Sequence, residues 1–130
     1  MIVVDASLVL ELVLVTLSST TIRERLRTDG RPLAAPQVLD LEILQALRRQ
    51  VRLKQLEVAR ADAVLEIFAS LPIVRYPHEI LWRRIWSLRE NATAYDAAYV
   101  ALAEFLDAPL WTCDRKFLGI PGQSAAIEIL

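Results

Sequence analysis

Apolar residues along this chain fall into two kinds of run. Short uninterrupted runs of three or four, several of them rich in β-branched residues, alternate with longer stretches in which apolar side chains recur every three or four positions. The short kind reads as buried strand and the long kind as amphipathic helix. Residues 2–4 form the first short run. Asp5-Ala6-Ser7 then opens a helical stretch over about residues 8–15. Residues 18–21 are a polar break with capping chemistry, followed by a second helix to about Arg27. Asp29-Gly30-Arg31-Pro32 is a turn. Residues 33–35 predict a second strand, and Pro36 sits just inside the start of a long helix to about Leu53. Another helix covers 56–71, Pro72 ends it, and 73–75 reads as a third strand. Pro77 opens a helix through about Glu90, and a further helix spans 94–106. Residues 110–113 predict a fourth strand ending at Asp114, with a short helix after it. Residues 127–129 suit a fifth strand.

Strands alternating with helices predict an α/β fold, a mainly parallel sheet of four or five strands with helices on both faces. In such folds the ligand site lies at the carboxyl ends of the strands. Asp5 and Asp114 both fall at that edge.

A length of 130 residues suits one domain over 1–130. A hydrophobic fraction of 55% and a charged fraction of 24% exclude a disordered chain. The net charge of −1 gives no global signal for nucleic acid, so such a partner would need a local basic patch. With one cysteine and one histidine, neither an internal disulfide nor a Cys/His zinc site can form. This points to a reducing, cytoplasmic location. The apolar stretch 8–17 is too short to span a bilayer and is broken by Glu11, so no membrane partner is expected.

Four carboxylates carry the candidate chemistry. Asp5, taken alone, reads first as a helix N-cap, and Asp114 has the same ambiguity. Asp96 is more informative. At helical spacing it shares a row with Ala92, Tyr99, Val100 and Ala103, which turns it toward the core. A charge placed there needs a cation, a metal or strong hydrogen bonds, a structural salt bridge being the plain alternative. Glu42 sits among Val38, Leu39, Gln45 and Ala46 and otherwise reads as a surface charge paired with Arg49 or Gln45. Four acids in one pocket repel one another, and a divalent cation relieves this. Oxygen-only ligands favour Mg²⁺ or Mn²⁺. Such a site can activate water for attack on a phosphodiester.

Four segments bear a resemblance. They are Met1-Ile2-Val3-Val4-Asp5-Ala6-Ser7, Pro36-Gln37-Val38-Leu39-Asp40-Leu41-Glu42 with Ala46-Leu47-Arg48-Arg49, the run from Thr93 to Glu104, and Pro109-Leu110-Trp111-Thr112-Cys113-Asp114. In order and spacing the chain resembles a PIN-domain protein of the VapC toxin type along essentially its whole length. The resemblance implies a PIN-like three-layer sandwich and an Mg²⁺- or Mn²⁺-dependent endoribonuclease acting as the toxin of a toxin–antitoxin pair. It implies Asp5 and Asp96 as the principal metal ligands, with Glu42 and Asp114 completing the cluster directly or through water. Ser7 and Thr112 match small hydroxyl positions that orient a carboxylate or a metal-bound water; the plain alternative for both is helix capping. It further implies a cognate antitoxin, a homodimer, and tRNA or ribosomal RNA as substrate.

Beyond the acids, Arg115 and Lys116 follow Asp114 and suit RNA phosphates. Arg48, Arg49, Arg52 and Lys54 cluster at the end of one helix and read first as a solvated surface. Trp82 and Trp86, one turn apart, read first as core and second as a partner-binding face. His78 reads as structural. Two other functions compete with the nuclease. One is a phosphohydrolase using Asp5 as nucleophile, although that chemistry normally wants a second Asp where Ser7 stands. The other is a non-catalytic α/β binding module.

Overall fold

The computed structural model describes residues 1–130. Five strands, β1 (Ile2–Val4), β2 (Leu33–Pro36), β3 (Ile73–Tyr76), β4 (Leu110–Thr112) and β5 (Ile127–Ile129), form one sheet. Their order is β3-β2-β1-β4-β5, and every neighbouring pair is parallel. Six helices connect them: α1 (Ala6–Val13), α2 (Ser19–Asp29), α3 (Val38–Arg52), α4 (Val58–Ser70), α5 (Trp82–Ser87) and α6 (Ala94–Leu106). This is the expected α/β three-layer arrangement, with five strands.

Strand alternation builds two cores. Val3, Ala34 and Leu110 face one side of the sheet and pack with α6 and with Leu81, Leu88 and Phe117. Ile2, Val4, Ala35 and Trp111 face the other side and pack with α1, α3 and α4. Because both faces are covered, the strands read as continuous apolar runs. Helix α6 lies deep because Ala97, Ala98, Ala101 and Ala103 let its backbone approach the sheet; all four are buried.

The chain moves from β1 out through β2 to β3, then crosses back to β4 beside β1. Right-handed crossovers therefore put α1 to α4 on one face and α5 and α6 on the other. The reversal leaves a crevice between the carboxyl ends of β1 and β4, where such sheets bind ligands.

Several boundaries differ from the sequence reading. Pro36 ends β2, in register with Tyr76, and α3 begins only at Val38. A residue preceding proline is driven to extended backbone, so Ala35 prolongs the strand instead of starting a helix. The helix expected over 77–90 is broken. A 3₁₀ turn at His78–Ile80 comes first, because β3 runs on to Tyr76 and His78 is held by Val38, whose N–H donates to its Nε2 at 3.0 Å. Only then does the short α5 form. The first helix begins at Ala6, two residues early, because Asp5 caps it. The short helix after Asp114 is a 3₁₀ segment, Arg115–Gly119.

Candidate active site

Asp5 stands where β1 gives way to α1. Its backbone is extended and its Oδ1 accepts the Leu8 N–H at 3.1 Å, so it is an N-cap. It is also only 4% exposed and lies at the crevice between β1 and β4. Ser7 Oγ lies 2.8 and 2.9 Å from its two oxygens, and Thr112 Oγ1 donates to Oδ2 at 2.9 Å. Proton bookkeeping orders this network, since each hydroxyl has one proton to give. Thr112 Oγ1 accepts the Asp114 N–H at 2.9 Å and donates to Asp5. Ser7 Oγ accepts the Cys113 N–H at 3.0 Å and shares its proton between the Asp5 oxygens. Two hydroxyls thus relay the backbone beyond β4 onto the carboxylate of β1. Burial raises the Asp5 pKa despite these donors.

Glu42, on the second turn of α3, accepts a hydrogen bond from Tyr99 Oη at 2.6 Å. It pairs with neither Arg49 nor Gln45. Its pKa is raised, first by burial and then by the charges of Asp96 and Asp5, against the opposing Tyr99 bond. Tyr99 is itself buried, and burial with the Glu42 contact pushes its pKa far above the ordinary phenol value.

Asp96 caps nothing; its N–H is bound by Thr93 Oγ1 at 3.1 Å, which starts α6 and turns the carboxylate inward to 18% exposure. Its partner is Lys116, whose Nζ lies 3.0 Å from Asp96 Oδ1 and 3.3 Å from Asp114 Oδ2. Asp114 Oδ1 takes the Lys116 backbone N–H at 2.9 Å. All four acids and both hydroxyls therefore meet at one end of the sheet. Lys116, read from sequence as a candidate for RNA phosphates, is exposed and pairs with the acids. Arg115 is exposed.

Tyr99 is the member that the sequence reading passed over. A buried tyrosine needs a partner for its hydroxyl, and Tyr99 lies three residues after Asp96 in the same helical row.

The donor set is carboxylate and hydroxyl oxygen, which suits a hard divalent cation. No three carboxylate, imidazole or thiol groups stand close enough to hold an ion unaided. Mg²⁺ usually takes one or two carboxylates and keeps several waters, so the acids suit a hydrated ion. The Lys116 ammonium between Asp96 and Asp114 marks where positive charge is drawn.

Beside Glu42, an open groove of about 940 Å³ runs along α3 past Leu41, Leu44, Arg48, Arg49 and Leu53 to Tyr95. Its three leucines are exposed. Trp82 and Trp86 are not core: they are 52% and 64% exposed, each under a guanidinium, from Arg83 and Arg89 respectively. No helix is long and apolar enough to cross a membrane.

The family model for the PIN domain matches residues 3–126. Ribonuclease VapC12 of Mycobacterium tuberculosis is 38% identical over 130 residues, covering 100% of this chain and 99% of that protein. The chain belongs to the PIN-domain family, in its VapC branch. Ribonuclease VapC1 of the same organism is 42% identical over 97 residues, 74% of this chain and 73% of that protein. Among solved structures, VapBC2 from Rickettsia felis, bound to a DNA fragment from its promoter, superposes with a TM-score of 0.75 at 16% identity. That match covers 99% of this chain and 98% of the other. VapC20 of Mycobacterium tuberculosis, a toxin that cleaves the sarcin–ricin loop, gives a TM-score of 0.62 at 18% identity, covering 95% and 97%. These two share the fold. The VapC relatives are ribonucleases by name, and this VapC-type PIN domain carries its acids at the crevice of that fold.

Proposed function

We propose that this VapC-type toxin is an endoribonuclease dependent on Mg²⁺ or Mn²⁺, with a structured loop of tRNA or ribosomal RNA as its substrate. The observation that carries the proposal is the gathering of Asp5, Glu42, Asp96 and Asp114 around the β1/β4 crevice. Asp5 and Asp96 are the principal ligands, and Glu42 and Asp114 act directly or through water. A bound divalent ion supplies an acidified water and neutralises charge on the phosphodiester.

The chain's own residues do the rest. Ser7 and Thr112 orient Asp5 through the hydroxyl relay. Tyr99 occupies one oxygen of Glu42 and leaves the other for solvent or substrate; a carboxyl of raised pKa there suits a proton acceptor. Arg115, exposed beside the acids, contributes to holding a substrate phosphate.

An aspartyl-nucleophile phosphohydrolase fits less well. That chemistry wants a second carboxylate two residues on, and the residue there is Ser7, whose hydroxyl donates to Asp5. For partners, a structural neighbour solved as a toxin-antitoxin complex from Klebsiella pneumoniae suggests an antitoxin, with a protein tail along the leucine-lined α3 groove. A homodimer and a cytoplasmic location belong to the same reading.

The test is cleavage of total RNA by the purified protein, with ends mapped. EDTA should stop cleavage and added Mn²⁺ or Mg²⁺ should restore it at the same positions. Undiminished cleavage in EDTA would contradict the metal reading.

A further inference from the structure

We propose that Lys116 is a built-in counter-cation of the acidic site, which a divalent ion must displace to enter. The proposal rests on the metal reading above and adds a residue that competes for the same carboxylates.

Three observations converge. Lys116 Nζ bridges Asp96 and Asp114, at 3.0 and 3.3 Å, across the mouth of the crevice. The same residue's backbone N–H takes the other Asp114 oxygen at 2.9 Å, so Asp114 is engaged at both oxygens by a single lysine. The side chain remains 51% exposed and its ammonium lies 5.5 Å from the Phe117 ring centre, above a face that can support it.

These features fit a removable cation. A buried lysine would be locked in place by the cost of breaking its pairs. An exposed one holds weakly, is screened by salt, and has water to move into. A lysine ammonium is a flexible point charge on a four-carbon stem, unlike the rigid fork of arginine. A divalent cation brings twice the charge to the same oxygens, so exchange is favourable once the ion is present. The arrangement keeps the acids compensated when no metal is bound and lowers the apparent metal affinity by the strength of the lysine pairs. Displacement also frees the ammonium beside the cleft, next to Arg115.

The test is Mn²⁺ binding to the full chain without RNA, by calorimetry and by the loss of the free-ion paramagnetic resonance signal. Wild type is compared with Lys116→Met, Lys116→Gln and Arg115→Met. Arg115 has no carboxylate within ion-pair distance, so its variant measures the effect of removing any nearby positive charge. Both Lys116 variants should bind Mn²⁺ roughly 2- to 30-fold tighter than wild type, the range that two solvent-screened charge pairs correspond to. Arg115→Met should gain clearly less. Tightening in Arg115→Met equal to that in the Lys116 variants would overturn the specific role of Lys116. So would wild-type binding that the Lys116 variants leave unchanged or weaken, and the metal reading would then still stand. Absence of Mn²⁺ binding in all four proteins would overturn both.

Discussion

Tyr99 Oη donates a 2.6 Å hydrogen bond to Glu42, tying α6 to α3 across the carboxyl edge of the sheet. The bond opposes the three influences that raise the Glu42 pKa: burial, Asp96 and Asp5. Removing the hydroxyl with Tyr99→Phe should let that pKa climb further. If ionised Glu42 is needed for cleavage, the acid limb of the pH–rate profile moves to higher pH. A variant that lost activity equally at all pH values would show Tyr99 to be structural alone. The substitution should cost about 1 kcal/mol of stability, the net worth of one hydrogen bond.

Asp5 should reveal itself through a gain in stability. Burial raises its pKa in the folded chain, as it does for Glu42. The stabilising contribution of such a group is complete below the unfolded carboxyl value of about 3.9 and is lost as pH rises through the folded value. At neutral pH the metal-free protein therefore carries the cost of an ionised Asp5. Asp5→Asn should raise the metal-free Tm at pH 7, since it removes the charge that burial penalises. Added Mn²⁺ should stabilise wild type and leave the variant unmoved. A lower Tm for the metal-free variant would mean that the hydrogen bonds to Asp5 outweigh its desolvation.

The hydroxyl relay predicts coupling. Thr112→Val removes the donor to Asp5 and orphans the Asp114 N–H, and Ser7→Ala does the same for Cys113. Each should destabilise by about 1–3 kcal/mol, and Thr112→Ser should recover most of the loss. Because the two hydroxyls serve one carboxylate, the double variant should fall short of the sum of the singles. Chemical denaturation of the four proteins checks this; strict additivity would dissolve the network.

The two tryptophans of α5 should be dispensable for folding. Trp86→Ala should change stability by no more than about 0.5 kcal/mol, as surface substitutions do. Trp111→Ala, on β4 in the core covered by α1, should cost about 3–5 kcal/mol. A large loss for Trp86→Ala would mean that its ring is covered in solution.

These contrasts mark how far the residues alone could be read. The strands were legible because a sheet covered on both faces leaves unbroken apolar runs such as Ile2-Val3-Val4. Asp96 was legible because helical spacing turns it toward Tyr99 and Val100. Pro36 misled because proline suits both the first turn of a helix and an extended strand end, and the pairing with Tyr76 that decides between them is 40 residues away in the chain. The tryptophans misled because periodicity reports that a stripe exists and not what covers it. The pairing of Lys116 with Asp96 had no signal in sequence, since it depends on Asp96 arriving from a different helix. Glu42 leaned most on the family resemblance, and its tie to Tyr99 needed three dimensions.

The central claim is that these acids form one catalytic centre for RNA. Its most direct test is cleavage of an RNA with a mapped cut site by wild type, Asp5→Asn and Asp96→Asn, each shown by circular dichroism to be folded. With Mg²⁺ or Mn²⁺ present, wild type should cut and each variant should lose at least about 100-fold in rate, the scale on which a lost catalytic group is felt. Full cleavage by either folded variant would contradict the account.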